Sequence, residues 1–159
     1  MPRLLIACLA ACTLATAASA GPDRKPPYWA SISATEARMR TGPSLNYPAT
    51  WLYKRRDLPI RVVGTQPSWR KVQDPDGATG WILVSLLSDT RTAIIPRGAP
   101  RLLRRSPADN AAAVYRVQPG VVGRVSKCAG GWCRMDVKGR SGYIRTGEIW
   151  GVDPQEELE

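Results

Sequence analysis

The sequence predicts an all-β chain built as two tandem small β-barrels packed against each other. Three observations predict it. The chain is dense in Gly and Pro, 14 of each, and its apolar runs are short. Strong turn signals, Asp74-Pro75-Asp76-Gly77 and Lys138-Gly139-Arg140-Ser141, separate those runs. One pattern also occurs twice: Arg40-Thr41-Gly42-Pro43-Ser44, Trp69-Arg70-Lys71-Val72 and Gly80-Trp81-Ile82 return, weaker, as Arg104-Arg105-Ser106-Pro107, Trp132-Cys133-Arg134-Met135 and Gly142-Tyr143-Ile144. Pro43 leads to Pro107 at an offset of 64, Trp69 to Trp132 at 63 and Gly80 to Gly142 at 62. One-residue changes in turns explain the drift, and loops absorb them easily. Each unit spans about sixty residues, enough for a small barrel with a marginal core, so the two are expected to pack together.

Taken in order, residues 1–20 read as a signal peptide. Met1-Pro2-Arg3 is a short positive start, Leu4 to Leu14 is apolar, and Ala18-Ser19-Ala20 is a small-residue cleavage site. Cleavage after Ala20 is expected, which places the mature chain in the periplasm. A retained anchor is one rival reading, although the apolar run is too short to span a bilayer. Lipidation at Cys12 is the other. Residues 21–29, rich in Pro and charge, read as a flexible lead-in. The first unit is expected over 30–95, the second over 96–152 and an acidic, solvated tail over 153–159. The junction falls near Ala93 to Ala99, with Pro96 stiffening it. Strands are expected at Leu58–Val63, Arg70–Val72 and Gly80–Val84, then at Val121–Ser126, Cys133–Val137 and Gly142–Arg145. Ile60 and Val62 should face the first core and Arg61 solvent. Ala111-Ala112-Ala113 is read as a worn copy of Tyr47-Pro48-Ala49 rather than as a helical turn.

Once Cys8 and Cys12 leave with the signal, Cys128 and Cys133 remain, spaced by Ala-Gly-Gly-Trp. The Gly130-Gly131 pair suits a tight hairpin with the sulfurs facing across it. In an exported chain a disulfide is the expected state, stabilising by about 2 kcal/mol for so short a ring. A redox-active pair is the alternative, but it usually reads Cys-x-x-Cys at a helix start.

The chain has no histidine. That removes Ser-His and Cys-His catalysis and the commonest transition-metal ligand. Asp57, Asp74, Asp76, Asp109 and Asp136 sit at expected turns or strand ends and form no catalytic motif. No enzyme activity, metal or cofactor is expected. The net charge is +10, from 23 Lys and Arg against 13 Asp and Glu; losing Arg3 with the signal leaves 22 against 13. A basic exported chain favours anionic partners such as cell-wall peptides, lipid head groups or acidic proteins, and nucleic acid is not expected. No integral membrane segment is expected in the mature chain. Lys54-Arg55-Arg56 and Arg101 with Arg104-Arg105 read as solvated strand edges, which also block edge-to-edge pairing, or as a face docking onto an anionic envelope surface.

The residues Arg40-Thr41-Gly42-Pro43-Ser44-Leu45-Asn46-Tyr47-Pro48, Trp69-Arg70-Lys71-Val72 and Gly80-Trp81-Ile82 resemble the bacterial SH3 domain. The second unit, with Cys128, Trp132-Cys133-Arg134 and a closing Trp150-Gly151-Val152, resembles an exported proteobacterial subgroup with two such domains and a cysteine pair. The resemblance covers residues 30 to 152. It implies two SH3-like, partly open β-barrels that bind cell-wall peptides or protein partners. Ser106 in place of Gly42 and Ala111 in place of Tyr47 depart from the pattern and favour a scaffolding role for the second unit.

Alternation offers an independent reading of the site. Val72 is the natural core residue and Arg70 shares its face, while Trp69 and Lys71 lie opposite. Cys133 and Met135 likewise share a face, opposite Trp132 and Arg134. Tyr47, Trp69 and Trp51, beside Asn46 and edged by Arg40 and Lys71, are therefore expected to form an aromatic shelf for a peptide bearing carboxylates. Trp81 and Tyr143 are expected only to cap the barrels. The function expected is a non-catalytic periplasmic module that recognises cell-wall (peptidoglycan) peptides or an extended segment of an envelope protein. The alternative is an adaptor docking through its basic surface.

Overall fold

Each repeat folds into its own sheet in the computed structural model, which describes residues 24–159. The expected signal peptide and cleavage site, with Cys8 and Cys12, lie outside the described residues.

Unit one contains β1 (Tyr28–Ile32), β2 (Ala37–Arg40), β3 (Ala49–Tyr53), β4 (Pro59–Gln66), β5 (Trp69–Gln73), β6 (Thr79–Leu83) and β7 (Leu87–Ser88), with a 3-10 turn at Val84–Leu86 before the last. All contacts are antiparallel, in the order β3-β2-β6-β5-β4-β1-β7. Unit two contains β8 (Thr92–Ile94), β9 (Arg101–Arg104), β10 (Ala113–Val117), β11 (Val122–Ala129), β12 (Trp132–Val137) and β13 (Arg140–Arg145), ordered β10-β9-β13-β12-β11-β8, then a 3-10 turn at Thr146–Glu148. The isolated bridge between Ile94 and Trp150 stands where β1 pairs with β7 in unit one. The fold is all-β, two tandem barrels, as the repeat predicts. No helix among the described residues is long and apolar enough to cross a membrane.

Period-two alternation builds both cores. Ile60, Val62, Val72 and Ile82 are buried around Met39 in unit one, and Arg61 is half-exposed. Leu103, Met135 and Ile144 do the same in unit two with Cys128 and Cys133. The repeated glycines have a packing cause. A Cβ on Gly80 would lie 2.5 Å from Met39 Cγ and 2.8 Å from the Arg40 carbonyl oxygen. One on Gly142 would lie 2.7 Å from Leu103 Cβ and 3.0 Å from the Arg104 carbonyl oxygen. The sheet closes on itself at these two places, and only hydrogen fits. Cys128 and Cys133 form a disulfide across the β11–β12 hairpin, with a Cα–Cα distance of 4.0 Å. A bond of this kind points to an oxidising compartment.

Three expectations are corrected. Tyr28 and Trp29 belong to β1 rather than to a flexible lead-in, and Trp29 is buried. The first strand of the second sheet, β8, lies within the stretch assigned to the end of unit one. The same offset of 64 that links the prolines carries Tyr28 to Thr92, so the repeat begins earlier than its motifs show. The acidic tail is not simply solvated. Leu158 packs on the second core and its N–H donates to the Cys128 carbonyl at 2.9 Å. Glu156 forms a half-buried ion pair with Arg91. Burial alone would raise the Glu156 pKa, but hydrogen bonds from Arg91 and the Asp153 N–H outweigh it and hold the carboxyl below its ordinary value.

The two units pack through aromatic and ionic contacts. Trp29 meets Trp150 edge to face, ring centroids 4.8 Å apart. Arg61 lies 5.5 Å over the Trp29 ring and 3.9 Å from Asp153. Ile94 and Val122 of unit two reach the first core, and Arg55 donates across the junction to the Gly120 carbonyl at 2.6 Å.

Candidate binding site

The 41–48 loop is held by its own backbone. Thr41 N–H donates to the Pro48 carbonyl, Ser44 to Gly42 and Tyr47 to Ser44. Unit two repeats the same three bonds at Arg105, Ala108 and Ala111. Arg40 ties the loop down by donating from Nη1 to the Tyr47 carbonyl at 2.7 Å, and Arg104 does so to Ala111 at 2.8 Å. Arg40 is thus a loop fastener before it is anything else. Asn46 is exposed, its N–H donating to Ser44 Oγ at 3.2 Å. The Tyr47 ring lies where a Gly42 side chain would be, 2.6 Å from an ideal Cβ, and still shows 47% of its surface. Ser106 and Ala111 are the complementary exchange: without the ring, the small residue opposite need not be glycine.

The expected shelf does not assemble as one surface. Trp69 lies on the face opposite Val72, as alternation requires, but it is only 8% exposed. It joins Arg38, Arg40, Leu45, Leu52 and Leu83 in a narrow groove of about 180 Å³, room for one or two side chains. Arg40 and Trp69 therefore come together. Lys71 and its neighbour Trp81 are placed on the same face by their register, outside that groove. Trp51 pairs with Met39 across β2–β3, whereas Leu52 pairs with Arg38. That puts Trp51 on the other face of the strand from the Trp69 groove. At the matching place in unit two, Trp132 is buried beneath the Arg145 guanidinium, 4.6 Å from the ring centroid. Arg145 in turn holds Asp109 in a two-point ion pair, and that hydrogen bond lowers the Asp109 pKa below its ordinary value.

Trp51 faces a much larger opening between the two units, a cleft of about 710 Å³. Consecutive residues from Trp51 to Arg55 form one wall, and Pro75, Pro96 and Trp150 stand among the others. Trp51 itself is 56% exposed, with Tyr53 at 6.5 Å between ring centroids. Among the described residues β3 is the outermost strand of its sheet, and one edge of its backbone has no strand partner there. The floor is rigid. Tyr53 donates from its hydroxyl to Asp74 Oδ2 at 2.9 Å, while Asp74 Oδ1 accepts from the N–H groups of Asp76 and Ala78 at 3.0 and 2.8 Å. Burial, then the hydrogen bond to Asp74, pushes the Tyr53 phenol far above its ordinary pKa and keeps it a donor. Asp74 is thereby spent on its turn. Lys54, Arg55, Arg97 and Asp76 set the polar rim, with Arg97 and Asp76 paired at 3.2 Å.

The sequence reading missed Leu45 and Leu83 in the groove and Tyr53, Pro75, Pro96 and Trp150 in the cleft. Reading the repeat offset at Leu45–Asp109 and Leu83–Arg145 would have exposed the first pair. The cleft residues belong to two units, and nothing in either repeat alone announces them. Among the described residues no group of three or more His, Cys, Asp or Glu side chains converges as a metal site would.

Comparison with known proteins gives the family. The bacterial SH3 domain matches the chain twice, over residues 33–89 and 98–151. No curated protein matches the chain. Among solved structures, NlpC2 from Trichomonas vaginalis is 13% identical, with a TM-score of 0.37, over 80% of this chain and 49% of that one. NlpC1 from the same organism is 14% identical with a TM-score of 0.36, over 86% and 50%. An NlpC/P60 family protein from Bacillus cereus is 12% identical with a TM-score of 0.34, over 77% and 55%. The chain spans about half the length of these structures.

Proposed function

The chain belongs to the bacterial SH3 domain family, and from that premise we propose that it is a non-catalytic module of the cell envelope that binds cell-wall peptides in the cleft between its two units. The observation that carries this reading is the cleft around Trp51. Its volume is that of a small-ligand site. It offers a broad aromatic face at little entropic cost, with cations at the rim for a ligand's carboxylates. The unpaired edge of β3 can add an extended peptide as a further strand, main chain to main chain, while Trp51 and the prolines contact alternate side chains. The disulfide and the basic charge agree with a place outside the cytoplasm.

The site proposed for the peptide therefore moves from Trp69 to Trp51. Short stem peptides titrated into the labelled protein should shift resonances of residues 51–55, 75 and 96–97. Trp51→Ala should weaken binding by about tenfold. Co-sedimentation with purified sacculi should follow the same order. Shifts confined to the 41–47 loop and Trp69 would return the site to the outer groove. Failure to bind peptide or sacculi, with capture of one envelope protein instead, would favour the adaptor.

A further inference from the structure

A second cleft between the units, which shares only Arg55 with the Trp51 wall, is lined mostly by charged side chains. Arg55 and Arg56 enter it from the turn after β3, Arg124 from β11 and Lys138 from the β12–β13 turn, enclosing about 500 Å³. Asp57 and Asp136 also border it, so four cations meet two carboxylates. Asp136 is partly committed, its Oδ1 accepting from the Gly139 N–H at 3.0 Å. Among the described residues, Arg55, Arg56, Arg124 and Lys138 have no carboxylate oxygen within 4.0 Å. Arg124 stands directly opposite Asp136 in the strand register, yet its guanidinium is not spent on it.

Two details make this more than a solvated edge. Arg55 is fixed across the junction by its bond to the Gly120 carbonyl, so the packing of the units sets the spacing of the cations. Lys138 occupies a left-handed position, φ 53°, followed by Gly139 at φ 84°. Such two-residue turns favour Asn, Asp or Gly at that place; a lysine there costs backbone energy and keeps a cation at the rim. Like charges gathered in a concave site repel one another until an anion of matching valence enters. Guanidinium forks fit the oxygens of phosphate in pairs, and a doubly charged group answers an excess of two cations better than a lone carboxylate does.

We propose that this cleft is a binding site for a phosphate-bearing ligand, either a phosphate ester or a diphosphate. The phosphate could come from a soluble molecule or from a lipid head group, and two probes separate the sources. Inorganic pyrophosphate is titrated calorimetrically into the purified protein, and vesicles of phosphatidylglycerol in phosphatidylcholine are tested by flotation. Arg124 is exposed, so Arg124→Glu is compatible with the fold, and an unchanged circular-dichroism spectrum checks this. For whichever probe binds, Arg124→Glu should lower affinity by about tenfold or more, while Arg105→Glu, the same charge change at an exposed position outside the cleft, should alter it by no more than about twofold. Pyrophosphate binding lost on Arg124→Glu assigns a soluble phosphate; flotation alone lost on Arg124→Glu assigns the head group. The proposal is overturned if neither probe binds, or if Arg105→Glu weakens binding as much as Arg124→Glu, which would mark diffuse attraction. Trp51→Ala should leave this binding intact, so its success or failure is read apart from that of the peptide site.

Discussion

Trp69 and Trp132 occupy the same place in the two barrels and keep different company. Around Trp69 stand Leu45 and Leu83, which leave a narrow groove edged by Arg38 and Arg40. Around Trp132 the corresponding residues are Asp109 and Arg145, which join and close over the ring. The backbone beneath is the same, down to the arginine that fastens each loop. Two side-chain exchanges on an unchanged scaffold therefore decide what covers the ring, since Trp69 and Trp132 are equally buried. Ser106 and Ala111, in place of Gly42 and Tyr47, remove one more aromatic from the same loop. The two units differ at this surface, while the backbone hydrogen bonds of the loop match one for one.

The sharpest way to break this comparison is to cut both cores at one equivalent position. Met39→Ala and Leu103→Ala each remove a buried side chain beside a closing glycine, and each should cost about 3 kcal/mol. Because Trp29 meets Trp150 and Ile94 enters the first core, either change should lower a single cooperative transition. Two separate transitions in denaturant, only one of them moved, would show that the units are independent and the interface incidental.

Next in size is the disulfide, which only unit two possesses. Replacing Cys128 and Cys133 together by Ala should cost about 2 kcal/mol from lost chain constraint. Urea denaturation of the double variant measures it, and an unchanged midpoint would mean that the hairpin is held by its packing alone.

The smallest effect concerns the ion pair over Trp132. Asp109 has a folded pKa below its ordinary value of 3.8 because Arg145 donates to it. A depressed carboxylate contributes stability that is full above the unfolded value and is lost as pH falls through the folded one. Followed by NMR, the Asp109 carboxyl should titrate below 3.8 in the native protein and return toward it in Arg145→Leu. An ordinary titration in the native protein would remove the ion pair from the account of why this face is closed.

Much of the architecture was legible because it is local. Asp74-Pro75-Asp76-Gly77 and Lys138-Gly139 specify turns wherever they occur, and alternation around Val72 and Met135 specifies which side is buried. The Arg-x-Gly-Pro loop marked its own repeat. The disulfide followed from the spacing of Cys128 and Cys133 and from the expectation of export. Trp29, β8 and the tail were misread because their role comes from contacts far along the chain: Trp29 is a lead-in residue until Trp150 of the other unit stands beside it, and Leu158 is an acidic-tail residue until the core of its own unit lies beneath it. Trp69 was placed on the correct face, but alternation along a strand cannot report what covers that face. The Trp51 cleft was not legible for the same reason, since its two walls lie some forty or more residues apart and meet only when the barrels dock.

Only Asp89, Thr90 and Arg91 separate the last strand of the first barrel from β8, the first strand of the second. Ile94 exchanges both its N–H and its carbonyl with Trp150, at 2.8 and 3.0 Å, and is stitched to Val122 on its other side. A connector of that kind has no slack to give. Whatever one barrel grips is held at a set angle and distance from whatever the other grips, so the molecule behaves as a bracket rather than as two beads on a string.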